Sequence, residues 1–156
     1  MMVFFLRHAD AESNATSDFT RKLTAKGLEQ AEKVGKFCAR NGLVPDIILT
    51  SPVIRAKETA SIVAKKLGDV NLLEENRLAC GMRPDACLDL LKEYKKFEAV
   101  MLVGHEPDFS ATISDFIGLI GAGQISVRKA SLTAIEMTGS SAGSGVLQFF
   151  IPSRLM

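Results

Sequence analysis

Apolar positions along the chain come in two styles. Three short runs, Val3-Phe4-Phe5-Leu6, Asp46-Ile47-Ile48-Leu49 and Val100-Met101-Leu102-Val103, are continuous and rich in β-branched and aromatic residues. Runs of this kind suit strands buried on both faces of a parallel sheet. Between them the pattern changes to a helical period. Leu28, Ala31, Val34 and Cys38, with Phe37 beside them, fall on one face of a predicted helix that Thr24 caps and Asn41-Gly42 stops. A second helix is predicted from Ser51 as N-cap, with Pro52 at its first position and Ile54, Ile62, Val63 and Leu67 as its apolar side. Val70–Leu73 reads as a short edge strand. Residues 84–96 read as a third helix, and 108–119 as a fourth that Pro107 opens.

The C-terminal part differs. Ser131–Met137 and Val146–Ile151 are strand-like and flank a Gly/Ser-rich stretch, which suits an antiparallel hairpin at one edge of the sheet. The whole pattern predicts an α/β fold. It is a three-layer α/β/α sandwich with a mostly parallel sheet and an antiparallel edge, formed as one domain over residues 1–156.

Composition removes several function classes. The chain has 156 residues, 19 basic against 18 acidic side chains, and a formal net charge of +1. No bulk field is available to hold a nucleic acid or an anionic membrane, so a bound anion must be held by a local cluster. No apolar run approaches the roughly eighteen residues of a membrane span. Met1–Leu6 is too short for a signal peptide and is cut off by Arg7-His8. Cys38, Cys80 and Cys87 form no CxxC pair, which suits reduced, buried thiols in a cytoplasmic protein.

The chain has only two histidines, and both directly follow buried runs: His8 after the first and His105 after the third. Ligands of open α/β sheets bind beyond the carboxyl ends of the strands. A lone histidine is most often a satisfied core or surface residue, but the whole complement at two strand ends points to a shared site. Arg7 adjoins His8, and Arg55 falls in the first turn of the second helix, where free N–H groups and the dipole favour an anion. Two guanidinium forks at one point suit a phosphoryl group.

The competing reading is a metal held by the histidines with Asp10, Glu12, Glu106 or Asp108, which the adjacent arginines disfavour. The Gly/Ser stretch 139–145 lacks the Gly-Lys-Ser/Thr ending of a phosphate loop. Gly118, Gly121 and Gly123 suit a helix terminus better than a dinucleotide fingerprint. Ser51 lacks a GxSxG elbow, and no cysteine sits in a CxxxxxR loop.

Four motifs then coincide with one family. Leu6-Arg7-His8-Ala9, Leu23-Thr24-Ala25-Lys26-Gly27-Leu28-Glu29-Gln30-Ala31, Ser51-Pro52-Val53-Ile54-Arg55-Ala56 with Thr59-Ala60, and Val103-Gly104-His105 resemble the histidine phosphatase superfamily, which is phosphoglycerate mutase-like. Asp18-Phe19-Thr20-Arg21-Lys22-Leu23-Thr24 and Gly104-His105-Glu106-Pro107-Asp108 are similar to its SixA-type phosphohistidine phosphatases. Ala9 replaces the usual glycine, and Lys22 stands where many SixA-like chains have proline.

The resemblance implies a metal-independent phosphatase that needs no cofactor. His8 is its nucleophile, forming a covalent phosphohistidine, and Arg7, Arg55 and His105 hold the phosphoryl oxygens. His8 is expected to be neutral, its pKa lowered by neighbouring cations. Glu75 is the preferred general acid by position, with Glu74 and Glu106 as alternatives. Asn14 and Arg21 are further candidates for contact with the substrate. The expected substrate is phosphohistidine in a protein such as a phosphotransfer domain, which implies signal transduction. The chain is expected to act as a monomer or weak dimer. A phosphatase of small phosphate esters and a non-catalytic phosphate-binding regulatory module are the alternatives.

Overall fold

The computed structural model describes residues 1–119 and 125–156. Six strands form one sheet: β1 (Met2–Arg7), β2 (Ile47–Thr50), β3 (Leu72–Glu74), β4 (Ala99–Gly104), β5 (Leu132–Met137) and β6 (Gly145–Ile151), in the order β3-β2-β4-β1-β5-β6. β3, β2, β4 and β1 are mutually parallel. β5 and β6 add an antiparallel edge, as the hairpin pattern implied.

The apolar runs are continuous because the sheet is covered on both faces. Alternate residues of β1 go to opposite cores. Phe4 and Leu6 join Ile48, Met101 and Val103 under α1 (Ala25–Arg40) and α2 (Ile54–Lys66). Val3 and Phe5 join Leu49, Val100 and Leu102 under α3 (Pro84–Glu93) and α4 (Asp108–Phe116). The result is the expected three-layer sandwich. Phe5 meets Phe109 and Phe116 edge-on at 5.2 and 5.7 Å, which ties α4 to the sheet. Losing such a ring costs about 3–5 kcal/mol. Gly104 is required here, because a Cβ on it would lie 2.8 Å from the Phe109 ring.

Two helical faces differ from the pattern. In α1 the buried stripe is Gly27, Ala31, Val34, Gly35 and Cys38, while Leu28 is 46% exposed. Close packing of α1 on α2 takes glycine at position 35, where a Cβ would meet Lys66 at 2.7 Å, and leaves Leu28 outside. In α2 the buried side is made of small residues, Ala56, Ala60 and Ala64 with Val63, while Ile54 and Ile62 lie at its margin.

The start of α2 also differs. Ser51 is not its N-cap; the helix begins at Ile54, with Val53 in the capping position. The Ser51 N–H still extends the sheet by donating to Val103 O at 2.9 Å, so the chain cannot turn into a helix there. Gly118, with φ +71°, follows the end of α4 as expected of a helix terminus. Gly121 and Gly123 lie outside the described residues.

Candidate active site

Strand register brings the two histidines together. β1 and β4 are parallel neighbours with Arg7 opposite Gly104, so both strands end at one level and His8 and His105 come next. Their ring centroids lie 5.3 Å apart, and both side chains are buried. β2 lies on the other side of β4 with Thr50 opposite Val103, which delivers Ser51 and then Arg55 to the same place.

Each ring is oriented by its partners. His8 Nδ1 lies 2.7 Å from Ala9 O, so it carries the hydrogen and donates it, leaving a lone pair on Nε2. Arg55 donates its Nε–H to that Nε2 at 3.2 Å. Burial, more than the neighbouring cations, lowers the His8 pKa to about 3, with Arg55, His105 and Arg7 adding to the effect. Neutrality at His8 was expected, but desolvation is its larger cause. His105 is lowered to about 4, again chiefly by burial and then by Arg55. Its Nδ1 faces an Arg55 terminal nitrogen, a donor, at 3.5 Å, which assigns the hydrogen to Nε2 for donation to Ser51 Oγ at 2.8 Å.

Arg55 is the hub. Only 4% exposed, it reaches His8 and His105 and also Asp18, donating to Asp18 O at 2.7 Å and to Asp18 Oδ2 at 3.0 Å. The Asp18 carboxylate supplies the counter-charge that a buried guanidinium requires. Arg7 donates to Val127 O at 2.8 Å, and its Nε is buried without a partner among the described residues.

The 23–31 motif supports the loop that carries His8. The Thr24 hydroxyl donates to Asp10 Oδ2 at 2.8 Å and also accepts from Gly27 N as the helix cap. Gln30 Oε1 accepts from Asp10 N at 2.9 Å. Gly27 is pressed against Asp10, where a Cβ would lie 1.9 Å from the carbonyl oxygen. From α2, Thr59 Oγ1 accepts from Ala9 N at 3.1 Å and donates to Arg55 O at 2.7 Å, linking the two functional segments. Ala9, in place of the usual glycine, is fully buried in the core.

Three expected site residues are placed differently. Glu75 is not available as a general acid: Oε1 and Oε2 each accept from Arg77 at 2.9 Å, and this pairing holds its pKa below the ordinary value. Arg21 acts at one remove, binding Glu12 O and pairing with Asp18 Oδ1 at 2.8 Å. Asn14 is exposed and lines an open cavity beside Glu12 and Thr24. Glu106, the alternative carboxyl, directly follows His105 in the chain. It is half-buried, burial raises its pKa, and its charge bears on Arg7.

Three of the four carboxylates weighed as metal ligands accept hydrogen bonds from protein groups. Asp10 Oδ1 pairs with Lys129 at 2.7 Å, Asp108 Oδ2 accepts from Gly81 N at 2.8 Å, and Glu106 Oε1 accepts from Ser110 N at 3.2 Å.

Three residues near the histidines have a place that local pattern does not mark. Ser51 has the look of a cap, yet it is the partner of His105. Asp18 could have been suspected from the need for a charge opposite Arg55. Cys80 is exposed, unlike Cys38 and Cys87, and its sulfur lies 3.7 Å from Arg55. Nothing local in the sequence marks it.

Fold and site together define a class: an α/β protein with a neutral imidazole and two guanidinium groups converging at the carboxyl ends of its central strands. The chain belongs to the histidine phosphatase superfamily (branch 1), whose model matches residues 3–79. Its relatives include phosphatases and mutases. It is 38% identical over 85 residues to the mitochondrial serine/threonine-protein phosphatase PGAM5 of Xenopus laevis, a match covering 53% of this chain and 31% of that one. The chain thus spans under a third of the length of that relative. An uncharacterized protein of Picosynechococcus is 34% identical over 116 residues, 69% of this chain and 68% of the other.

Among solved structures, protein histidine phosphatase SixA complexed with tungstate superposes with a TM-score of 0.89 at 20% identity, over 99% of both chains. An Agrobacterium tumefaciens protein assigned as SixA gives 0.84 at 26% identity, over 97% of both chains. Among the described residues, no helix is long and apolar enough to cross a membrane.

Proposed function

We propose that this protein is a phosphatase acting on phosphohistidine in a protein, through a covalent phosphohistidine on His8. One observation carries the reading: His8 is a buried neutral imidazole whose Nδ1–H is held by Ala9 O and whose Nε2 lone pair faces Arg55. In the first step Nε2 attacks phosphorus, the P–N bond of the substrate breaks, and the substrate imidazole leaves as a neutral ring if its other nitrogen carries the proton. In the second, water attacks phosphorus, the P–Nε2 bond breaks, phosphate departs and neutral His8 returns. Arg7, Arg55 and His105 hold the peripheral oxygens, whose negative charge persists through both transition states.

The substrate class is supported by what surrounds the histidines. A neutral imidazole leaving group needs no strong acid, and Glu75 cannot serve as one. The segment after α2 passes through only a three-residue strand, Leu72–Glu74, before the 3-10 turn at Asn76–Leu78, so no large insertion there covers the site. The Agrobacterium protein assigned as SixA, 26% identical over nearly the whole chain, is a further support. Small phosphate esters remain the second reading, with Glu106, which directly follows His105 and whose charge bears on Arg7, as the group that would protonate an alkoxide.

Incubation with a phosphohistidine-bearing phosphotransfer domain, and separately with a panel of small phosphate esters, tests the proposal. Wild type is expected to dephosphorylate the domain fastest and to yield acid-labile phosphate on His8, while His8→Ala is inactive. Full activity of His8→Ala overturns the covalent route. Preferential turnover of esters overturns the substrate class. Phosphate binding without turnover of anything favours a regulatory module.

A further inference from the structure

Next to the phosphoryl site, and sharing Arg7 with it, is a cavity of about 390 Å³. Its charged lining is Arg7, Asp10, Lys26, Arg128, Lys129 and Arg154, five cations around one carboxylate. That carboxylate is spent: Asp10 Oδ1 pairs with Lys129 at 2.7 Å, and Oδ2 accepts from Thr24. Among the described residues, Arg7, Lys26, Arg128 and Arg154 have no carboxylate within ion-pair distance.

These cations come from four separate places: the end of β1, the first turn of α1, the segment before β5 and the turn after β6. On a chain of net charge +1 their convergence is local, and it favours an anion at this place. Arg7 lines the cavity and also bears electrostatically on His8, so a substrate protein that brings its phosphohistidine to His8 would lay its flank over these charges.

We propose that this cavity binds carboxylates flanking the phosphohistidine on the substrate protein, so that the enzyme selects an acidic surface. The inference rests on the phosphohistidine reading above. Rim charges of this kind steer encounter and tighten binding without entering the chemical step, and salt weakens them.

Two phosphohistidine peptides, one flanked by glutamates and the other by glutamines, test it. Turnover is measured with wild type, and binding with His8→Gln, which leaves the cavity intact. The acid-flanked peptide is expected to bind about five- to tenfold tighter, the sum of a few exposed pairs, with similar kcat. The preference should vanish in the Arg128→Glu/Arg154→Glu double variant, which should keep its kcat on the glutamine-flanked peptide. Equal binding of both peptides, or a preference that survives charge reversal, overturns the proposal. Absent turnover of both peptides by wild type brings down the phosphohistidine reading, while the binding comparison still decides the cavity.

Discussion

Arg55 donates its Nε–H to His8 Nε2, the atom proposed as the nucleophile, across 3.2 Å. The contact shows which form of His8 the fold selects. An imidazolium has no acceptor, so the guanidinium and a protonated His8 are incompatible. In the free protein burial first, and this contact second, keep the ring neutral. When a phosphoryl group enters, the same guanidinium is next to the oxygens whose charge must be held.

Both histidine pKa values follow from burial and have one consequence for spectra and another for stability. The folded values of about 3 and about 4 lie below the ordinary 6.5, so the unfolded chain binds more protons between them. Stability is therefore full above about pH 6.5 and is lost as the pH falls toward the folded values. The two imidazole resonances should not titrate between about pH 8 and 5 in NMR spectra. Urea unfolding should show stability falling from about pH 7 to 5, less steeply in His105→Gln. Protonation of either ring near neutral pH would refute this.

Asp18→Asn should strengthen anion binding. The Asp18 carboxylate, 61% exposed, sits 3.0 Å from the Arg55 nitrogen that a phosphoryl oxygen would approach. The backbone contact from Arg55 to Asp18 O survives the substitution. Inorganic phosphate is expected to inhibit the variant at concentrations about two- to fivefold lower than wild type. Weaker inhibition would mean that Asp18 chiefly positions Arg55.

Ser51→Ala should separate positioning from binding. Without Ser51 Oγ the His105 ring loses its Nε2 partner in a buried place, costing about 1–3 kcal/mol of stability. His105 can then rotate, so kcat should fall about tenfold with a smaller change in KM, and Ser51→Thr should recover part of it. Equal kcat for Ser51→Ala and wild type would remove Ser51 from any role in catalysis.

Gly27→Ala reverses an ordinary rule. In a helix this change usually stabilises by up to about 1 kcal/mol. Here the added methyl would lie 1.9 Å from Asp10 O, backbone that supports the His8 loop. Destabilisation of about 1–3 kcal/mol is expected, with reduced activity, by thermal unfolding and turnover. A more stable variant would show that this contact is slack.

The three central strands, the helices between them and the C-terminal hairpin were all legible in the sequence. Periodicity is a local property set by which faces of an element are buried. The same logic marked His8, Arg7 and His105, because residues that directly follow a buried run sit at a strand end. Arg55 followed from its place in the first turn of a helix. Local pattern also misled where tertiary packing intervened. Ser51 reads as a cap but extends the sheet and holds His105. Leu28 reads as core but is displaced outward by the close α1–α2 contact. Glu75 reads as an acid by position, yet Arg77 neutralises it.

By itself the sequence determined the elements, their order along the chain and the residue types at the ends of the strands. Only the tertiary structure decided that β1 lies beside β4 in a register that puts His8 against His105. It also decided that Asp18 answers Arg55, and that Lys26, Arg128, Lys129 and Arg154 gather beside the site. The reason is physical. Strand order and the pairing of distant charges depend on which surfaces can be buried together, a property of the whole chain that no short window contains.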